Sequence, residues 1–153
     1  MATTEETHTR PEASFELLML THQMRGTIFD VLGPVSAKFS LDRPHVVALL
    51  WLSLHSSNVS DIARAIGLRQ NRATVVVDRL SARGLVERVR RTDDRRVVTV
   101  RLTDAGHSLV SSVTMSLQEQ LDTFLMPLSA TELTELISLL RRLIPSGPQP
   151  LLN

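Results

Sequence analysis

"VSDIARAIGLRQNRATVVVDRLSARGLVERVRRTDDRRVVTVRLTDAG", Val59 to Gly106, decides the fold. Just ahead of it begins Asn58-Val-Ser-Asp61, which resembles a capping box: a short polar side chain can accept a first-turn amide, and an acid faces the positive helix end. A short helix, Val59 to Ile66, should follow, with Gly67 as its C-terminal stop. After a turn of about three residues a second helix runs from Gln70 to Arg83 and closes on Gly84. Ala73, Val76, Val77 and Leu80 form its apolar stripe, so Asn71, Thr74, Val75 and Asp78 face outward, flanked by Arg72 and Arg79. Two short helices joined by a tight glycine-containing turn are a helix-turn-helix. A strand from Leu85 to Arg90, a turn at Arg91 to Arg95 and a returning strand from Arg96 to Leu102 then make a hairpin with a polar tip.

Working outward, Ala13 to Leu32 carries Leu17, Leu20, Met24, Ile28 and Val31 on one helical stripe and Phe15, Leu18 and Phe29 on a second. Gly33-Pro34 is expected to end this helix, since proline disfavours the helical conformation of its predecessor. Asp42 then serves as N-cap for a helix with Pro44 in its first turn, running to about Leu54. Beyond the hairpin, Thr103 can cap a long helix from Asp104 to about Phe124, interrupted by Pro127. Ser129-Ala-Thr-Glu132 opens a last helix too apolar to stay alone. The expected fold is mainly α with a small β-hairpin wing: a winged helix-turn-helix with helices added at both ends. Its divisions are a flexible tail (1–12), a helical dimerisation region (13–33 and 105–145), the winged helix-turn-helix (42–104) and a second tail (146–153).

Charge is unevenly spread over the 153 residues. Val59 to Asp104 holds 11 arginines against 6 acids, whereas the rest has 6 basic residues against 10 acids, a distribution that suits a polyanion at one face. The absence of cysteine excludes disulfides, thiolate metal sites and thiol-based peroxide sensing. The N-terminal stretch lacks the basic start and apolar run of a secretory signal, and Pro44 to Ser60, the longest stretch without charge, is too short and polar to span a bilayer. A cytoplasmic protein without membrane contact is therefore expected. No Gly-x-Ser-x-Gly elbow, Gly-rich phosphate loop or His-Glu-x-x-His pattern occurs, so no enzyme and no cofactor are expected.

The combination of Asp78-Arg-Leu80, Gly84-Leu-Val86, Asp94-Arg-Arg96 and Leu102-Thr-x-x-Gly106, in that order, resembles the MarR family of bacterial transcriptional regulators. The resemblance is strong over about a third of the chain and implies a homodimer whose terminal helices pair across a two-fold axis. It also implies that Asp94 anchors the wing to the recognition helix through Arg79. It implies further that small aromatic or phenolic acids release DNA by binding between the DNA-binding lobe and the dimerisation helices.

Physical reading of the same residues points to double-stranded DNA as the partner. A helix fits the major groove, and its N-terminal end offers free amides and partial positive charge to phosphate. Arg69, Gln70, Asn71, Arg72 and Thr74 are placed to act there, with Val75 and Arg79 on the same helix. Asn and Gln can pair with adenine and Arg with guanine. The hairpin would reach the neighbouring minor groove, with Arg95 the residue chosen for insertion and Arg91, Arg96 and Arg90 as backbone contacts or structural pairs. Around the implied effector cleft, His22, Arg25, His45 and Trp51 offer cation, hydrogen bond and stacking surface, although Trp51 also suits plain core. Two alternatives share this fold. One is a winged-helix module that binds protein, which has no need of arginines at the hairpin. The other is a metal-responsive regulator, although His22, His45, His55 and His107 show no paired ligand spacing and no metal site is expected.

Overall fold

Local capping signals place most helix starts. The computed structural model describes residues 10–90 and 98–143, and within them six helices and one hairpin. In chain order these are α1 (Arg10–Lys38), α2 (Arg43–Leu54), α3 (Val59–Ala65), α4 (Gln70–Ala82), β1 (Val86–Arg90), β2 (Val98–Leu102), α5 (Asp104–Leu125) and α6 (Ala130–Leu143). Asn58 Oδ1 accepts from the Asp61 amide at 2.9 Å, and Thr103 Oγ1 accepts from the Gly106 amide at 3.1 Å. Both halves of the Ser129–Glu132 capping box form: the Ser129 amide donates to Glu132 Oε2 at 2.7 Å and the Glu132 amide to Ser129 Oγ at 3.3 Å. Those bonds favour the carboxylate and hold the Glu132 pKa below its ordinary value.

The core sits where α2, α4, the hairpin and α5 meet. Leu49, Ile62, Leu80, Val35, Val46, Val77, Val100 and Val113 are its most deeply buried large side chains. The buried residues of α4 are Ala73, Val76, Val77 and Leu80, the stripe expected from periodicity. Strand β1 pairs antiparallel with β2, Val86 opposite Leu102 and Arg90 opposite Val98. Ser57 adds a bridge to the other edge of β2, its amide donating to the Val100 carbonyl at 3.3 Å and its carbonyl accepting from the Val100 amide at 2.8 Å, which ties the hairpin to the end of α2.

Glycine at position 106 has a steric reason. A Cβ there would overlap the backbone carbonyl of Leu85, because the first turn of α5 packs directly on the chain entering β1. The Thr103 hydroxyl, donating to the Gly84 carbonyl at 2.6 Å, fastens the same junction.

Two boundary expectations fail. Gly33-Pro34 does not end the first helix, which continues through Pro34 to Lys38. Leu32, Val35 and Ser36 are buried, and seating them against the core favours continued helix, while Pro34 is exposed, so the carbonyl it deprives of a donor lies at water. The first helix, expected to stop at Gly33-Pro34, therefore runs on into the core, where Leu32, Val35 and Ser36 are buried. At its other end the helix begins at Arg10, inside the stretch expected as a tail, with Pro11 and Glu12 both suited to a first turn. Asp42 does occupy the N-cap of α2, but its side chain makes no capping bond.

Among the described residues, most of the apolar surface of α1 is left exposed. Phe15, Leu17, Leu18, Met19, Leu20, Met24, Ile28 and Phe29 are exposed, and α6 buries no residue at all. Among the described residues no helix is long and apolar enough to cross a membrane.

Candidate nucleic-acid interface

The turn between α3 and α4 sets the presentation of α4. Gly67 takes φ of 66°, and the Leu68 amide donates to the Ala63 carbonyl at 2.9 Å, a reversal that glycine accommodates without strain. Arg69 follows as the N-cap of α4 with extended backbone and no side-chain capping bond. Arg69, Gln70, Asn71, Arg72 and Val75 are exposed on one end of this helix and Thr74 is half-buried.

Electrostatically this helix start differs from its neighbours. First turns of α3, α5 and α6 carry Asp61, Asp104 and Glu132, each of the sign that suits the positive end of a helix. The first turns of α2 and α4 both lack an acid, but α2 has Asp42 as its N-cap, whereas α4 has Arg69 there and Arg72 in its first turn. Two cations at a positive helix end are unfavourable for the helix alone and favourable once an external anion is bound. Asn71 Oδ1 accepts the Arg72 amide at 2.8 Å, and the Thr74 hydroxyl donates to the Gln70 carbonyl at 2.9 Å.

Hairpin and recognition helix are joined by an ion pair that the sequence reading missed. Arg88 Nη2 on β1 donates to Asp78 Oδ1 on α4 at 2.6 Å. Arg79, expected to meet Asp94, has Asp42 as a described partner, Nη1 to Oδ2 at 3.5 Å. Arg91, Asp94, Arg95 and Arg96 lie outside the described residues, so the expected wing contacts and the Asp94 anchor do too. Arg83, at the C-terminal end of α4, donates to the Ser40 carbonyl at 2.9 Å, and Ser40 takes φ of 52° in the turn between α1 and α2. The recognition helix is thus latched to the α1–α2 turn at two points.

The four residues expected around an effector are placed differently from one another. His22 and Arg25 are exposed on α1. The Arg25 and Arg43 guanidiniums lie 5.9 and 5.3 Å from the centroid of the Phe29 ring, a cationic aromatic cluster that sequence reading did not assemble. His45 is buried, only 6 % exposed. Burial pushes its imidazole below the ordinary histidine value, opposed by the Asp42 carboxylate and reinforced by Arg79 and Arg83. Trp51 is half-buried, stacks on His55 with ring centroids 4.2 Å apart and donates from Nε1 to Ser57 Oγ at 2.9 Å. Its polar edge is therefore already engaged in holding the segment that bridges to β2. Among the described residues no group of three or more His, Cys, Asp or Glu side chains is arranged to hold a metal ion.

A helix-turn-helix whose second helix exposes cations at its N-terminus, backed by a two-stranded hairpin, defines a winged helix-turn-helix protein. Residues 39–98 match the family model described as MarR family. It is 32% identical over 90 residues to the transcriptional repressor MprA of Escherichia coli K12, covering 59% of this chain and 51% of that protein, so it spans about half the length of the curated relatives it matches. A MarR family protein from Bacillus stearothermophilus superposes with a TM-score of 0.67 at 26% identity, over 89% of this chain and 96% of the other. CouR from Rhodococcus jostii RHA1, solved bound to p-coumaroyl-CoA, shares the fold with a TM-score of 0.76 at 19% identity, covering 89% and 97%.

Proposed function

We propose that this protein is a sequence-specific double-stranded DNA-binding transcriptional regulator, a repressor that acts as a homodimer on a pseudo-palindromic operator. The observation that carries this reading is the inverted charge of the α4 start: Arg69 and Arg72 at a helix N-terminus without a first-turn acid, beside outward Gln70 and Asn71. Arg69 and Arg72 meet phosphate or guanine, Gln70 and Asn71 read adenine edges, Thr74 and Val75 line the groove, and Arg79 contacts backbone. Arg91, Arg95 and Arg96 at the hairpin tip supply the second contact, with Arg95 in the minor groove and Asp94 holding the tip. The match to a repressor supports regulation in place of catalysis.

The unpartnered apolar faces of α1 and α6 support the homodimer, because contiguous exposed patches of that kind mark interaction sites. A small aromatic acid is the proposed effector, and the exposed cluster of Arg25, Phe29 and Arg43 supports that chemistry with cations around a ring, His22 being exposed on the same helix as Arg25 and Phe29. The ligand shifts the spacing of the two recognition helices only by its differential affinity for the two states.

Footprinting on the DNA upstream of the protein's own coding sequence tests the proposal. Two protected half-sites roughly 34 to 36 Å apart, one helical turn, are expected at a stoichiometry of one dimer. Protection of a single half-site by one subunit would contradict it.

A further inference from the structure

Asp42 is a good capping residue that does not cap its helix, and the use made of its carboxylate links two distant parts of the lobe. Its Oδ2 lies 3.5 Å from Arg79 Nη1 on the recognition helix and 3.7 Å from His45 Nδ1 on the first turn of α2. The carboxylate is exposed, as is Arg79, whereas the imidazole is buried. Neither ring nitrogen of His45 has a hydrogen-bond partner. A buried imidazole with both nitrogens unmatched is costly in any core position, and here it sits one small side-chain rotation from an acid.

We propose that Asp42 is a positioning residue shared between Arg79 and His45: duplex binding draws Arg79 away to phosphate, the freed carboxylate turns to His45, and the imidazole takes up a proton from solvent. The inference rests on the DNA-binding reading of α4 and adds a proton to the complex. The balance is simple: one solvent proton adds to the unprotonated ring nitrogen, no other bond changes, and the resulting imidazolium donates to Asp42.

Charges around the ring oppose one another: the Asp42 carboxylate favours a proton on it, whereas Arg79 and Arg83 repel one. Those that influence it are Asp42 ahead of its own helix and Arg79 and Arg83 from α4, while α1, α3, α5 and β2, also packed on α2, contribute no charge that shifts it. Withdrawal of Arg79 removes a repelling cation and returns an attracting anion, so both changes favour the protonated ring. By linkage, a complex that binds more protons than its free components tightens as pH falls. Repressor occupancy would therefore increase in mild acid, in the range where histidine titrates.

The test measures affinity of the full chain for a random-sequence duplex from about pH 8 to about pH 5.5 at fixed salt, in the wild type, His45→Leu and Asp42→Asn. Each linked proton steepens the dependence by up to about tenfold per pH unit, and both variants should lose that component. Asp42→Asn alters an exposed side chain and serves if His45→Leu fails to fold. In parallel, NMR titration of the His45 ring should move to higher pH on adding duplex and to lower pH in Asp42→Asn. Equal pH slopes in all three proteins, or a His45 titration that duplex leaves in place, would overturn the inference while leaving DNA binding intact. No duplex affinity at about pH 8 and low salt would overturn the DNA reading and this inference with it.

Discussion

Arg88 on the first strand of the wing reaches across 2.6 Å to Asp78 on the recognition helix, so hairpin and helix are fastened to each other before any DNA is present. Both side chains keep substantial exposure, 38% and 53%, and water weakens the pair. Arg88→Ala should lower stability by no more than about 1 kcal/mol. In the proposed complex its larger effect should be on duplex affinity, since the wing loses its register with α4. Denaturation and binding measured on the same preparations check this, and a matching loss in both would assign Arg88 to stability alone.

Gly106→Ala should be among the most damaging single-atom additions available. The new methyl group collides with the Leu85 carbonyl, a backbone atom that cannot rotate aside. Separation of α5 from β1 should cost about 2 kcal/mol or more in urea unfolding. A variant as stable as the wild type would show that the junction relaxes freely.

Capping makes a paired prediction. Asn58→Ala removes a real cap bond to the Asp61 amide and should cost about 1 kcal/mol. Asp42→Ala occupies the same kind of position but removes no cap bond, so its effect should fall clearly below that. Thermal unfolding of the two variants side by side separates them, and equal losses would mean that Asp42 caps α2 in solution.

His45 gives stability a pH dependence whose sign follows from burial. Its folded pKa lies below the ordinary value near 6.5, so above that value both states are neutral and the native state has its full advantage. As pH falls below 6.5 the unfolded chain binds a proton first, and stability declines until the folded pKa is reached, then levels off. His45→Leu should abolish this part of the decline and, by removing two unmatched nitrogens, hold or raise stability at neutral pH. An unchanged pH profile in the variant would place the titration elsewhere.

The dimer proposal is tested through side chains that touch little of their own subunit. Leu18 on α1 is 62% exposed and Leu139 on α6 is 46% exposed. Leu18→Glu with Leu139→Glu should give a folded monomer by sedimentation, with circular dichroism preserved and duplex affinity reduced by orders of magnitude as two half-sites become one. Persistence of a dimer would move the interface to another face.

Much of the lobe was legible because its signals are local. Asn58, Thr103 and the Ser129–Glu132 pair each mark a helix start within four residues, and the apolar stripe of α4 needs only its own period. The end of α1 was illegible for the opposite reason: proline is a local stop signal, but burial of Val35 and Ser36 is a tertiary fact that outweighs it. The same holds within the candidate site. Arg69, Gln70, Asn71 and Arg72 are placed by their position at the start of α4, which the Gly67 turn marks locally, whereas the Arg79–Asp42 contact joins residues 37 positions apart and depends on rotamers that no periodicity encodes. Burial of His45 beside an exposed acid was hidden likewise, since a histidine on an amphipathic helix fits either face.

Affinity for random-sequence duplex as a function of salt addresses the α4 interface most directly. Measurable binding at low salt is expected, with a linear fall of log K with log salt whose slope loses about one unit when Arg72 is replaced by Ala. No affinity for duplex at low salt, or an affinity indifferent to salt, would contradict the DNA-binding reading.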